Sequence, residues 1–256
     1  MTAPRPLFHP LSSARRLAVG ALSIAALALL TGWAPAKPAA APAPASASAP
    51  APLWSAQVTV SAIGAHIVGN PAAKVRLVEY FSYTCGHCGQ FAKAAATPLK
   101  TQYIDKGLVA VEYRNLIRDP FDLTAALLAR CGAAKAFPGN HQAIFATQPG
   151  WLDRIDKATD AQHARWSEGS IGERTRRIAA DTGLAALMRQ RGYDAARINA
   201  CLDSDVARTE VIGMTNIGFN TDKVHGTPSF FINGADTGVH DWPSLKTRLD
   251  LAIKGS

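Results

Sequence analysis

The chain has 256 residues, four cysteines and a formal net charge of +8. Three of its positive charges, Arg5, Arg15 and Arg16, sit in an N-terminal stretch with no acidic residue. The densest basic cluster, Arg174-Thr175-Arg176-Arg177, has no interleaved aromatics. It reads as a solvated helix face, so the charge argues against a nucleic-acid partner.

From the N-terminus, a positive start is followed by residues 17–30, which carry no charge, and by the small residues Ala34-Pro35-Ala36. That order predicts a secretory signal peptide over 1–36. The apolar run is shorter than the ~20 residues that span a bilayer, so cleavage is expected, with a membrane-anchored form as the alternative. Arg15-Arg16 hints at twin-arginine export, but its neighbours give that reading little support. Trp33 stands where a lipid-modified cysteine would follow Leu30-Thr31-Gly32, which leaves no lipoprotein anchor. Residues 37–53 are almost wholly Ala, Pro and Ser and predict a disordered tether. The remainder is long enough for one core, or for one domain carrying a second inserted into it.

Residues 57–60 alternate polar and apolar, as a strand does. Residues 74–83 form a stronger strand pattern that runs directly into Thr84-Cys85-Gly86-His87-Cys88. Phe91, Ala95, Leu99 and Tyr103, spaced by four, mark one face of a helix that Pro98 should kink. Residues 108–113 make the next strand, so strand, helix and strand form a βαβ unit with parallel pairing. From Pro120 the pattern turns helical, with helices predicted over 123–135, 141–148, 174–191, 195–202 and 204–214. Strand chemistry returns at 229–232, with a turn at Asn233-Gly234 and a short partner at 238–240. Residues 242–254 close the chain as an amphipathic helix. The expected fold is therefore α/β, with 54–119 and 214–256 forming one domain and 120–213 a helical domain inserted into it.

An exported chain meets a compartment where disulfides persist. The cysteines divide most simply into a reactive pair, Cys85 and Cys88, and a structural pair, Cys131 and Cys201. Cys85 falls at a helix start, where unpaired amides and the positive end of the helix dipole favour a thiolate. His87 adds a switchable positive charge beside it. Cys88 lies about one turn along, placed to close a compact disulfide. Cys85 is thus the expected nucleophile and Cys88 the resolving thiol. The competing reading, half of a zinc site, lacks a second Cys or His pair at close spacing. A metal carrier built on Cys85, His87 and Cys88 stays open as an alternative, and no other metal or cofactor is expected.

The stretch from Val78 to Cys88 (VEYFSYTCGHC) resembles the active-site segment of the bacterial DsbA-like thiol–disulfide oxidoreductases, and residues 226–234 (GTPSFFING) resemble that family's cis-proline loop. The resemblance implies a thioredoxin fold with a helical insertion. It implies a cis Pro228 against the cysteine pair and a Thr227 that offers main chain to an extended substrate segment. It implies that Glu79 is a buried acid exchanging a proton with Cys88, the alternative being an outward-facing strand residue. A Cys131–Cys201 disulfide across the insertion is a further implication, with two buried free thiols as the alternative. Gly86-His87 is closer to eukaryotic disulfide isomerases than to the best-known bacterial oxidase, which leaves the direction of the reaction open. The implied function is a monomeric periplasmic dithiol oxidase serving exported cysteine-containing proteins and reoxidised by a membrane redox partner. Isomerase or reductase is the alternative.

Overall fold

The computed structural model describes residues 53–255. The expected signal peptide (1–36) and tether (37–53) lie outside them, apart from Leu53, which is exposed. Strands β1 (Val58–Val60), β2 (His66–Val68), β3 (Val75–Phe81), β4 (Val109–Asn115), β5 (Ser229–Ile232) and β6 (Ala235–Asp236) form one sheet in the order β1-β2-β4-β3-β5-β6. β3 and β4 run parallel from Val75↔Val109 to Phe81↔Asn115. A parallel pair needs a crossover, and helix α1 (Gly86–Pro98) supplies it. β5 lies antiparallel on the other side of β3, with Glu79 opposite Phe230. β3 is thus an interior strand, as its run of Val, Leu, Tyr and Phe requires.

Several boundaries differ from the sequence reading for local reasons. Pro98 has no N–H to donate, and the α-helical ladder ends there; the coil continues over Leu99–Ile104 as a wider π-type helix. The short strand β2 went unseen because three residues are too few to show a period. The Asn233-Gly234 turn pairs β5 with Ala235–Asp236, not with 238–240, because a two-residue turn brings its nearest neighbours into register. Residues 238–240 instead form a loop that carries His240 back to the site.

Between β4 and β5 the chain is helical: α2 (Pro120–Ala129), α3 (Phe137–Ala146), α4 (Gln148–Asp156), α5 (Asp160–Ser167), α6 (Ile171–Asp181), α7 (Leu184–Gln190), α8 (Ala195–Leu202) and α9 (Asp205–Asn220). Helix α10 (Trp242–Lys254) ends the fold. Asp119, Thr159, Ser170, Asp194 and Ser204 each accept a first-turn amide with the side chain, which sets where α2, α5, α6, α8 and α9 begin. The single helix expected over 174–191 is two, because Gly183 takes a left-handed φ of 82° between α6 and α7. Helix α9 runs through the expected boundary at 213 and delivers the chain to the loop before β5.

On one face of β3, Val75 and Leu77 pack against Phe91 and Ala95 of α1 and against Leu245 and Leu249 of α10. Farther along the same face, Phe81 leads to Tyr83, Cys85 and Cys88, which join Leu127, Leu128, Ile144 and Trp151 of the insertion in one cluster. The insertion therefore forms part of the floor beneath the two sulfurs. Within it, Cys131 and Cys201 are joined in a disulfide across 70 residues of chain. Closing a loop of that length contributes about 4 kcal/mol in the chain-entropy model.

Candidate active site

Cys85 is the N-cap of α1, in extended conformation, and no acidic residue occupies the first turn of that helix. The leading amides of α1 are therefore left for the sulfur. The Cys85 thiol is held well below its ordinary value of 9.0, at about 5. The hydrogen bond from the Cys88 thiol does most of this, and the backbone amides of Cys88 and His87 assist against the cost of burial. Cys88 moves the other way, far above its ordinary value, first because it is fully buried and then because its proton is held by the Cys85 anion. The two thiols are not bonded to each other in this structure. The pair is thus split into one sulfur ready as an anion and one kept protonated.

The His87 side chain is exposed and makes no hydrogen bond among the described residues, so its amide is what touches the anion. The Thr227–Pro228 peptide is cis. Thr227 O accepts from the protonated Cys85 thiol at 3.2 Å, which places the loop directly on the sulfur. His240 Nδ1 donates to Pro228 O at 2.7 Å, and Ser229 Oγ donates to Gly226 O at 2.8 Å, fixing the loop from both sides. His225 is exposed and stands apart from these contacts.

Glu79 faces inward from β3 and is buried, not turned to solvent. It lines a cavity of about 480 Å³ together with Phe91 and Ala92 of α1, Tyr113 of β4 and His141 of α3. Its carboxyl makes no hydrogen bond among the described residues, and burial raises it from 4.5 to about 8. Phe91 and Ala92 follow Cys88 on the buried face of α1, so the cavity that Glu79 lines borders that helix one turn beyond the resolving sulfur. His141 meets the other wall: its Nδ1 lies 2.9 Å from Tyr83 Oη, and burial holds it neutral, down at about 3.

Three residues that the sequence reading passed over hold the segment before Cys85. Asp122 accepts from Ser82 Oγ at 2.7 Å and from Tyr83 N at 2.8 Å, while burial lifts its carboxyl from 3.8 to about 7. Asp119 accepts from Thr84 Oγ1 at 2.6 Å. Gln148, the first residue of α4, donates its amide to Tyr83 O at 2.7 Å and to Cys85 O at 2.9 Å. The Gln148 side chain packs so closely on Gly89 that a Cβ there would lie 1.9 Å from its Oε1. Asp119-Pro120 is a recognisable helix start, but no local pattern marks Gln148.

Gln148→Ala leaves both carbonyls unpaired in a buried site, at a cost of about 1–3 kcal/mol for each. The expected result is a lower midpoint in denaturant together with a changed Cys85 thiolate titration, read by ultraviolet absorbance. A titration identical to that of the wild type would show that Gln148 supports the fold and not the sulfur.

Among the described residues no three His, Cys, Asp or Glu side chains gather as a metal-binding group. Cys131 and Cys201 lie apart from the site, in their own disulfide.

A family model described as thioredoxin matches residues 61–251. A candidate protein-disulfide oxidoreductase of Rickettsia felis is 32% identical over 189 residues, covering 73% of this chain; the chain spans 60% of that relative's length. The crystal structure of a protein-disulfide isomerase from Novosphingobium aromaticivorans is 38% identical, with a TM-score of 0.70, and the match covers 74% of this chain and 97% of that one. Wolbachia pipientis alpha-DsbA1, at 21% identity, shares the fold with a TM-score of 0.58 over 77% of this chain and 94% of its own. With the model matched across nearly the whole described fold, and a cysteine pair at a helix start facing a cis proline, the chain belongs to the thioredoxin family.

Proposed function

We propose that this chain is exported to the periplasm and works there as a monomeric dithiol oxidase, passing a Cys85–Cys88 disulfide to exported proteins. The observation that carries the reading is the opposite displacement of the two thiols, Cys85 down to about 5 and Cys88 upward. A stabilised thiolate favours the reduced protein over its disulfide, and that makes the disulfide a strong oxidant.

The exchange follows from this asymmetry. An extended client segment lies along the Thr227 main chain, as in strand addition. A client thiolate attacks Cys85 Sγ, the Cys85–Cys88 bond breaks, and the Cys88 sulfur leaves with the electron pair. Glu79, protonated up to about pH 8, is the proton source on that side of α1. A second client thiolate then attacks the client sulfur of the mixed disulfide and expels Cys85 as a stable anion. The client gains a disulfide, the protein is left as the dithiol, and a disulfide of a membrane partner reoxidises it. The uncharged stretch 17–30 after Arg15 and Arg16 supports export.

Isomerase activity is the second reading, because the 38%-identical Novosphingobium protein carries that name. The test is the redox potential of Cys85–Cys88, measured beside refolding of reduced and of scrambled multi-disulfide substrates. An oxidase is expected above about −200 mV and rescues the reduced substrate; rescue of the scrambled one marks an isomerase. A potential near −270 mV, where thioredoxin lies, would overturn the oxidase reading in favour of a reductase.

A further inference from the structure

Beside the thiol pair lies a groove that the exchange chemistry leaves unused. One hollow of about 280 Å³ is floored by Ile117, Pro120, Leu123, Ile171 and Ile178. Leu123 and Ile171 also wall a second hollow of about 490 Å³, which reaches Ile212 on α9. Ile171 and Ile212 are 43% and 40% exposed, so the apolar surface is continuous and open to solvent.

Two guanidiniums border the first hollow. Arg118 is exposed, and its side chain makes no hydrogen bond among the described residues. Arg174 gives its Nε to Trp166 O at 2.9 Å. Neither has a carboxylate partner among the described residues, whereas Arg165, Arg176 and Arg208 nearby are paired with Asp and Arg177 donates to the carbonyls of Arg165 and Glu168. Asp119 also lines the hollow, but its two oxygens are taken, by Thr84 Oγ1 and by Asp122 N. That same Asp119–Thr84 bond ties one wall of the groove to the residue before Cys85. An apolar floor bordered by two guanidiniums against the single carboxylate of Asp119, with one wall tied to the residue before a reactive sulfur, suits a segment with a carboxylate among apolar side chains.

We propose that the groove binds an acidic, apolar-flanked segment of the client polypeptide next to the cysteine being exchanged. Arg118 and Arg174 hold its carboxylate, and Leu123 and Ile171 hold its apolar neighbours. The proposal rests on the exchange reading of Cys85 and adds a substrate preference to it. The chain's own tether, 37–53, contains no acidic residue and cannot answer the two guanidiniums.

The test uses the oxidised protein and three synthetic cysteine peptides that differ only in the flanking residue: Glu, Gln or Lys between leucines. Wild type is expected to prefer the Glu peptide over the Gln peptide in kcat/KM by about fivefold to tenfold, which is what one or two exposed ion pairs supply. The preference should shrink as salt is raised. Arg118→Glu, whose side chain holds nothing else in place, should reverse the preference towards the Lys peptide and leave the Gln peptide rate unchanged. Arg174→Gln should halve it or more. Fluorescence anisotropy with Cys→Ser versions of the peptides reads binding without exchange, so the groove is tested even if the thiol reading fails. Equal rates and equal binding for all three peptides, or a preference that survives in Arg118→Glu, would overturn the proposal. So would self-association of the protein that is lost in Leu123→Asp, since the groove would then serve a second copy of the chain.

Discussion

A Cys85→Ser variant is expected to lose dithiol exchange by several orders of magnitude, down to the rate of the uncatalysed reaction. The reason is the division of labour between the sulfurs. Cys88 is fully buried and holds its proton far above the ordinary thiol range, so it cannot take over as nucleophile. Cys88→Ser should fail differently. Its Cys85 can still attack a client disulfide, but nothing resolves the product, and mixed disulfides accumulate as higher bands on a non-reducing gel. In the wild-type dithiol, attack by Cys85 should hold its rate as pH falls from 7 and drop only below about 5, where the thiolate takes up its proton. Turnover that persists in Cys85→Ser, or a rate that already falls below pH 8, would remove the basis for the assignment.

The second large effect is on stability and comes from Glu79. Its folded-state value lies above its unfolded one, about 8 against 4.5, because the carboxyl is buried with no hydrogen-bond partner among the described residues. The native state therefore binds the extra proton between those values, and stability falls as pH rises through that window. At about 1.4 kcal/mol per pKa unit the loss amounts to several kcal/mol by pH 8. Asp122, raised from 3.8 to about 7, acts in the same direction. Cys85, lowered from 9.0 to about 5, opposes it in the dithiol form by gaining stability over that range. Measuring the oxidised protein removes the thiol contribution, and comparison with Glu79→Gln isolates the carboxyl. Denaturant midpoints of the variant should decline less between pH 5 and pH 8 than those of the wild type. On the exchange proposed above, in which Glu79 supplies the proton, the same variant should also slow the step in which Cys88 leaves. Parallel stability curves would mean that Glu79 ionises freely through the cavity.

The parts of this protein that could be read from residues alone are those whose physics is local. Two cysteines one turn apart at a strand-to-helix junction advertise themselves within a dozen positions. So do the alternation at 57–60 and the apolar run that becomes β3. Thr227, Pro228 and Glu79, by contrast, are marked only by the resemblance of their segments to a known family. The short strand β2 could not be read, because its three residues become a strand only by pairing with β1 and β4. Nor could the braces of the active-site segment. Gln148 meets Cys85 across 63 positions, and Asp122 meets Ser82 across 40, and neither residue differs locally from any other helix-opening Gln or Asp. His240 reads as the end of a short strand with no role, until the loop after the Asn233-Gly234 turn brings it back onto Pro228. Burial is the common cause: it raises Glu79 and Asp122 and keeps the Cys88 proton in place. Burial belongs to packing between distant segments, so no neighbour in the chain records it.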